Sequence, residues 1–149
     1  MRCFGKIVVP VDGSYAALTA AKYAREVAEK FESAVTLLHV IEHPGYLASG
    51  ANNLPASVIQ DMDTNGQHVL AQALGIFSDY DGRILTKMVY GHAGIKITEF
   101  SQENNYSLII MGRRGLSGVK ELLLGSVSNY VLHYAKCPTL IIKGEESSH

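Results

Sequence analysis

Short apolar runs alternate along the chain with stretches whose apolar positions recur every three or four residues. Lys6–Val11 (KIVVPV) is β-branched and stops at Asp12-Gly13-Ser14, which predicts a strand closed by a tight turn. Ser14 can cap a helix starting at the next residue. Ala17, Ala20, Ala21, Ala24, Val27, Ala28 and Phe31 then repeat at helical spacing, predicting an amphipathic helix packed closely by its alanines. Ala34–Ile41 (AVTLLHVI) reads as a second buried strand. Residues 44–55 (PGYLASGANNLP), rich in Gly, Asn and Pro, read as the one long loop. A helix from Ala56 to about Phe77 has a weaker pattern, diluted by Gly66 and Gly75. Arg83–Tyr90, Leu108–Met111 and Thr139–Ile142 are three further strands. Helices over Ala93 to about Glu103 and Ser126 to about Ala135 lie between them. The tail from Gly144 to His149 is polar and expected to fray.

Strand and helix in strict alternation predict an α/β fold with right-handed crossovers and a parallel sheet. The nearly unbroken apolar strands predict helices on both faces. Ligands of such sheets sit at the carboxyl ends of the strands, where strand order switches. Two turns fall there: Asp12-Gly13-Ser14, and the stretch from Gly112 onward.

A length of 149 residues fits one domain, residues 1–149. At 47% hydrophobic and 18% charged, the chain is too apolar to be disordered. Thirteen basic against 14 acidic residues argue against a dedicated nucleic-acid binder, which would be strongly basic. Cys3 and Cys137 form neither a disulfide framework nor a four-ligand zinc site. No export signal and no membrane-spanning run is expected, which points to a cytoplasmic protein without membrane partners.

The segment from Met111 to Ser126 (MGRRGLSGVKELLLGS) is richest in candidate chemistry. Gly112, Gly115 and Gly125 permit positive φ and a close approach of backbone N–H groups to a ligand. Ser126 opens a helix whose N-terminus favours anions. Arg113, Arg114 and Lys120 add positive charge. The pattern is neither a P-loop nor the dinucleotide glycine fingerprint.

Gly112-x-x-Gly115, nine residues, then Gly125-Ser126 resembles the G-x2-G-x9-G-S/T pattern of the universal stress protein family. The strand ending in Asp12-Gly13-Ser14, the LIIMG strand (Leu108–Gly112) and the closing CPTLII segment (Cys137–Ile142) extend the resemblance over nearly the whole chain. It implies a Rossmann-like three-layer sandwich with strand order 3-2-1-4-5, and the complete glycine motif is similar to that of the ATP-binding branch. Carried over by position, adenine and ribose contacts fall on Pro10, Val11, Asp12, Ser14 and Val40, followed by Met111, Gly112, Arg114 and Gly115. Phosphate contacts fall on Gly125, Ser126, Val127 and Ser128. The implied ligand is ATP, or AMP or ADP, with Mg or Mn on its phosphates.

Asp12 can accept ribose hydroxyls, hold a phosphate-bound Mg through water near the strand end, or simply form an Asx turn. The chain departs from the family at Ser107, usually Asp, which bears on local capping. It departs again at Arg113-Arg114, where the extra charge is expected to be solvated.

His39-Val-Ile-Glu42-His43 matches a zinc-peptidase pattern. That chemistry needs a helix, and in a strand the two histidines would stand about 13 Å apart with Glu42 on the other face. No intrinsic metal site and no catalytic residue is therefore expected. His39 reads as a strand residue whose replacement by alanine should leave nucleotide affinity nearly unchanged. The resemblance implies a nucleotide-binding regulator of stress responses. Two alternatives stay open: a slow ATP hydrolase using Asp12 or His92 as base, and a scaffold with a vestigial groove. It also implies a homodimer paired through Thr139–Ile142, because an apolar edge strand needs cover.

Overall fold

The structure, a computed structural model, describes residues 3–49, 53–113 and 124–143. Its elements are β1 (Lys6–Pro10), α1 (Tyr15–Phe31), β2 (Ala34–Ile41), α2 (Pro44–Ser49), α3 (Ala56–Leu74), β3 (Ile84–Tyr90), α4 (Ala93–Glu103), β4 (Leu108–Gly112), α5 (Ser126–Tyr134) and β5 (Thr139–Ile142). The five strands form one parallel sheet in the order 3-2-1-4-5, as the resemblance implied.

Side chains alternate across the sheet and build a core on each face. Ile7, Val9, Val35, Leu37 and Ile110 meet the alanine face of α1, together with Leu70 and Ala73 of α3. Val8, Leu38, Ile109 and Met111 point the other way, onto Ile97 of α4 and Val131 of α5. Ala20, Ala21, Ala24 and Ala28 are fully buried, so α1 lies close against the central strands. Ser107 accepts the Lys6 N–H at 3.1 Å and donates to the Lys6 carbonyl at 2.9 Å, pinning the start of β4 to β1.

Three expectations change. The long loop begins with a helix, α2, where Tyr46 packs on Tyr90 with ring centroids 5.0 Å apart. The second long helix ends at Leu74, and Gly75–Phe77 is a separate 3-10 turn. β3 is not buried on both faces: Leu85, Thr86 and Lys87 are exposed. Among the described strands it lies at the edge with β2 as its neighbour, and α3 covers one of its faces. Gly66 weakens the helical pattern for a packing reason. A Cβ there would run into the sulfur of Met88 and sit 3.0 Å from the His39 ring, so α3 needs glycine to lie on β2 and β3. No described helix is long and apolar enough to cross a membrane.

Candidate functional site

At the carboxyl ends of β1, β2 and β4 the sheet opens into a cavity of about 420 Å³. Two features of β1 open it. Pro10 has no N–H to give β4, and the β1–β4 ladder ends at Val8↔Ile109. On the other side the β1–β2 ladder ends at Pro10↔Leu38, followed by one bond from the Val11 N–H to the Leu38 carbonyl at 2.8 Å.

The turn after β1 is held by its own side chains. The Asp12 carboxylate accepts the Ser14 N–H at 2.9 Å, Gly13 takes φ +87°, and Ser14 accepts the Ala17 N–H at 3.1 Å as the cap of α1. Asp12 is thus an Asx-turn residue and also a wall residue of the cavity. Pro10, Val11, Ser14, Val40, Met111, Gly112, Gly125, Ser126, Val127 and Ser128 line the same space. Arg114 and Gly115, the remaining sequence candidates, lie outside the described residues.

The glycines act differently from expectation. The described glycines at positive φ are Gly13 and Gly91, not Gly112 or Gly125. Gly112 is needed for space: a Cβ would stand 2.9 Å from the backbone carbon and oxygen of Ala16 in α1. Gly125 is extended at φ −65°, ψ 162°, and it, not Ser126, is the N-cap of α5. Among the described residues no side chain caps that end. Ser128 is buried, and its hydroxyl faces the Arg113 carbonyl at 2.6 Å and the Gly125 carbonyl at 3.1 Å, fastening the first turn of α5 to the end of β4. The N–H groups of the first turn have no acceptor within the helix.

Arg113 is not simply solvated. It lines the cavity, and its Nε is shut off from solvent without a hydrogen-bond partner among the described residues. Sequence reasoning also missed Met62 and Asn65 of α3 and Ile97 of α4, which complete the walls. Their only sequence signal was helical periodicity, which names a face and not what the face borders.

Residues of the zinc-peptidase pattern have structural employment. His39 is buried, with Nδ1 donating to the Val11 carbonyl at 2.8 Å. The Glu42 carboxylate accepts the Ala93 N–H at 3.1 Å, capping α4. His43 Nδ1 accepts the Gly45 N–H at 3.0 Å. All three nonetheless border the cavity, whereas His92 does not. Among the described residues no three His, Cys, Asp or Glu side chains are grouped to hold a metal ion. Cys3 and Cys137 are both free thiols. Burial pushes the Cys137 thiol up from its ordinary value.

Residues 4–143 match the profile of the universal stress protein family. A relative, universal stress protein MJ0531 of Methanocaldococcus jannaschii, is 31% identical over 140 residues, covering 94% of this chain and 82% of its own. Among solved structures, a universal stress protein in complex with cAMP superposes with a TM-score of 0.76 at 23% identity, covering 96% of this chain and 99% of that one. The universal stress protein of Archaeoglobus fulgidus in complex with dAMP superposes with a TM-score of 0.70 at 21% identity, covering 95% and 99%.

Proposed function

The chain belongs to the universal stress protein family, and we propose that it binds ATP in the cavity at the strand ends and regulates stress responses through its nucleotide-bound state. The observation that carries this reading is the inequality of three helix N-termini. The first turn of α1 is capped by Ser14 and that of α4 by the Glu42 carboxylate. Among the described helices only α5 meets the cavity without a described side-chain cap, beside the Arg113 Nε, buried and without a partner among the described residues. Free N–H groups, a helix dipole and a guanidinium whose Nε has no partner among the described residues suit a phosphate chain. Glu42 and Asp12 also line the cavity, and their carboxylates favour neutral hydroxyl donors over a bare phosphate oxygen.

The base end has its own logic. The Leu38 carbonyl takes the Val11 N–H and the Ile41 carbonyl takes the Gly91 N–H. Alternate residues of β2 therefore address β1 and β3, and Val40 addresses β1, which has already ended. Its N–H and C=O offer one donor and one acceptor to a flat heterocycle, with Met62, Ile97 and Met111 as apolar walls. A volume of about 420 Å³ lies in the range of small-molecule sites, roughly 300–1,000 Å³. The cAMP and dAMP complexes of its structural neighbours fit the same ligand class. The second oxygen of Asp12 suits a ribose hydroxyl, or a water of a phosphate-bound Mg.

The reading includes a homodimer. β5 is the other edge of the sheet; Leu140 on it and Leu132 on α5 are exposed, and an uncovered apolar edge invites pairing with its copy. Mass spectrometry of ligand released from the purified protein tests nucleotide binding. Co-purified ATP, ADP or AMP is expected. A ligand-free protein that also gives no heat with ATP or AMP would contradict it.

A further inference from the structure

We propose that His39 is a positioning residue of the base site: its Nδ1–H holds the Val11 carbonyl away from the Val40 N–H, so that this N–H stays free for the ligand. The inference rests on the adenine-nucleotide reading given above and deepens it. If the β1–β2 ladder ran one step further, the Val11 carbonyl would be the acceptor for the Val40 N–H. That step is not taken. The carbonyl accepts from the imidazole at 2.8 Å, and among the described residues neither the N–H nor the C=O of Val40 has a backbone partner on that side.

The ring is fixed in this task. Residues 35, 37 and 39 project onto the α1–α3 face, and a Cβ on Gly66 would stand 3.0 Å from His39 Cδ2. Glycine at that point of α3 leaves the space the imidazole fills. A leucine at position 39 could fill the space and could not donate. An asparagine places its amide N–H close to where Nδ1–H stands. Because a carbonyl is the partner, Nδ1 carries the hydrogen whether or not the ring is charged.

The test pairs amide hydrogen exchange with calorimetry on the parent, His39→Leu and His39→Asn, using AMP as ligand. In the nucleotide-free parent, the Val40 amide is expected to exchange freely beside protected Leu38 and Ile41, and to become protected when AMP is added. His39→Leu should protect Val40 without AMP and weaken AMP binding roughly fivefold to tenfold, the equivalent of one hydrogen bond. His39→Asn should restore both behaviours. A Val40 amide already protected in the nucleotide-free parent overturns the proposal, as does His39→Leu binding AMP like the parent. Loss in His39→Leu that His39→Asn does not restore assigns His39 to packing alone and overturns it too. Should His39→Leu not fold, the parent's exchange pattern and the affinity of His39→Asn decide. A parent with a free Val40 amide that binds no AMP contradicts the nucleotide reading and, with it, the role of His39.

Discussion

Single residues set the limits of this site by what they lack as much as by what they carry. Gly112 ends β4 against the backbone of α1, where a Cβ meets main-chain atoms that cannot swing aside. Gly112→Ala is expected to destabilise the protein by about 1–3 kcal/mol, read as a lower midpoint in chemical denaturation. Ser126 is exposed and lies one residue inside the helix, with Gly125 as the cap. Ser126→Ala should therefore leave stability within about 0.5 kcal/mol of the parent. Tyr90 gives a pH signature. Its hydroxyl donates to Asp63, and burial first, then that bond, push the phenol up to about 12 from 10. A raised folded value means that the neutral phenol stabilises the fold. That contribution is complete below pH 10 and is lost as pH rises from 10 to 12. Absorbance titration should show a late-ionising tyrosine, centred near pH 12, that is missing from Tyr90→Phe. None of this was legible at the residue level. Gly112 and Gly125 looked like positive-φ glycines because their neighbours in space were unknown, and His39 looked like a bystander because its partner Val11 is 28 positions away.

At the scale of elements, the proposed phosphate end depends on α5, the one described helix start left uncapped towards the cavity. A branched side chain at Gly125 crowds the N–H groups of Ser126, Val127 and Ser128. Gly125→Val should weaken ATP binding by about 5- to 150-fold, the equivalent of roughly 1–3 kcal/mol, with folding checked alongside by circular dichroism. Removing the cap of α4 should act on the fold rather than the phosphates. Glu42→Ala is expected to cost about 1 kcal/mol in thermal or denaturant unfolding. The five strands and the alanine-faced α1 were legible in the sequence because β-branched runs and helical periodicity are local signals. α2 was not, since Pro, Gly and Ala in residues 44–49 suit a loop as well as a short helix. The exposed face of β3 was not legible either: position at a sheet edge is set by strand order, not by the strand's own residues.

For the whole molecule, the strand order places every candidate contact that is described at one end of the sheet. That convergence came from the family resemblance and the parallel topology together, because residues 10–14, 40 and 125–128 share no local pattern. The central claim is an oriented nucleotide, its phosphates at α5 and Arg113 and its base at Val40. Calorimetric titration of the parent and Arg113→Ala with ATP and with adenosine tests it most directly. Arg113→Ala should lose about tenfold to 150-fold in ATP affinity, the equivalent of roughly 1.5–3 kcal/mol for a charge-assisted hydrogen bond, and bind adenosine like the parent. Equal ATP affinity in both proteins, or an equal loss for ATP and adenosine, would contradict the account.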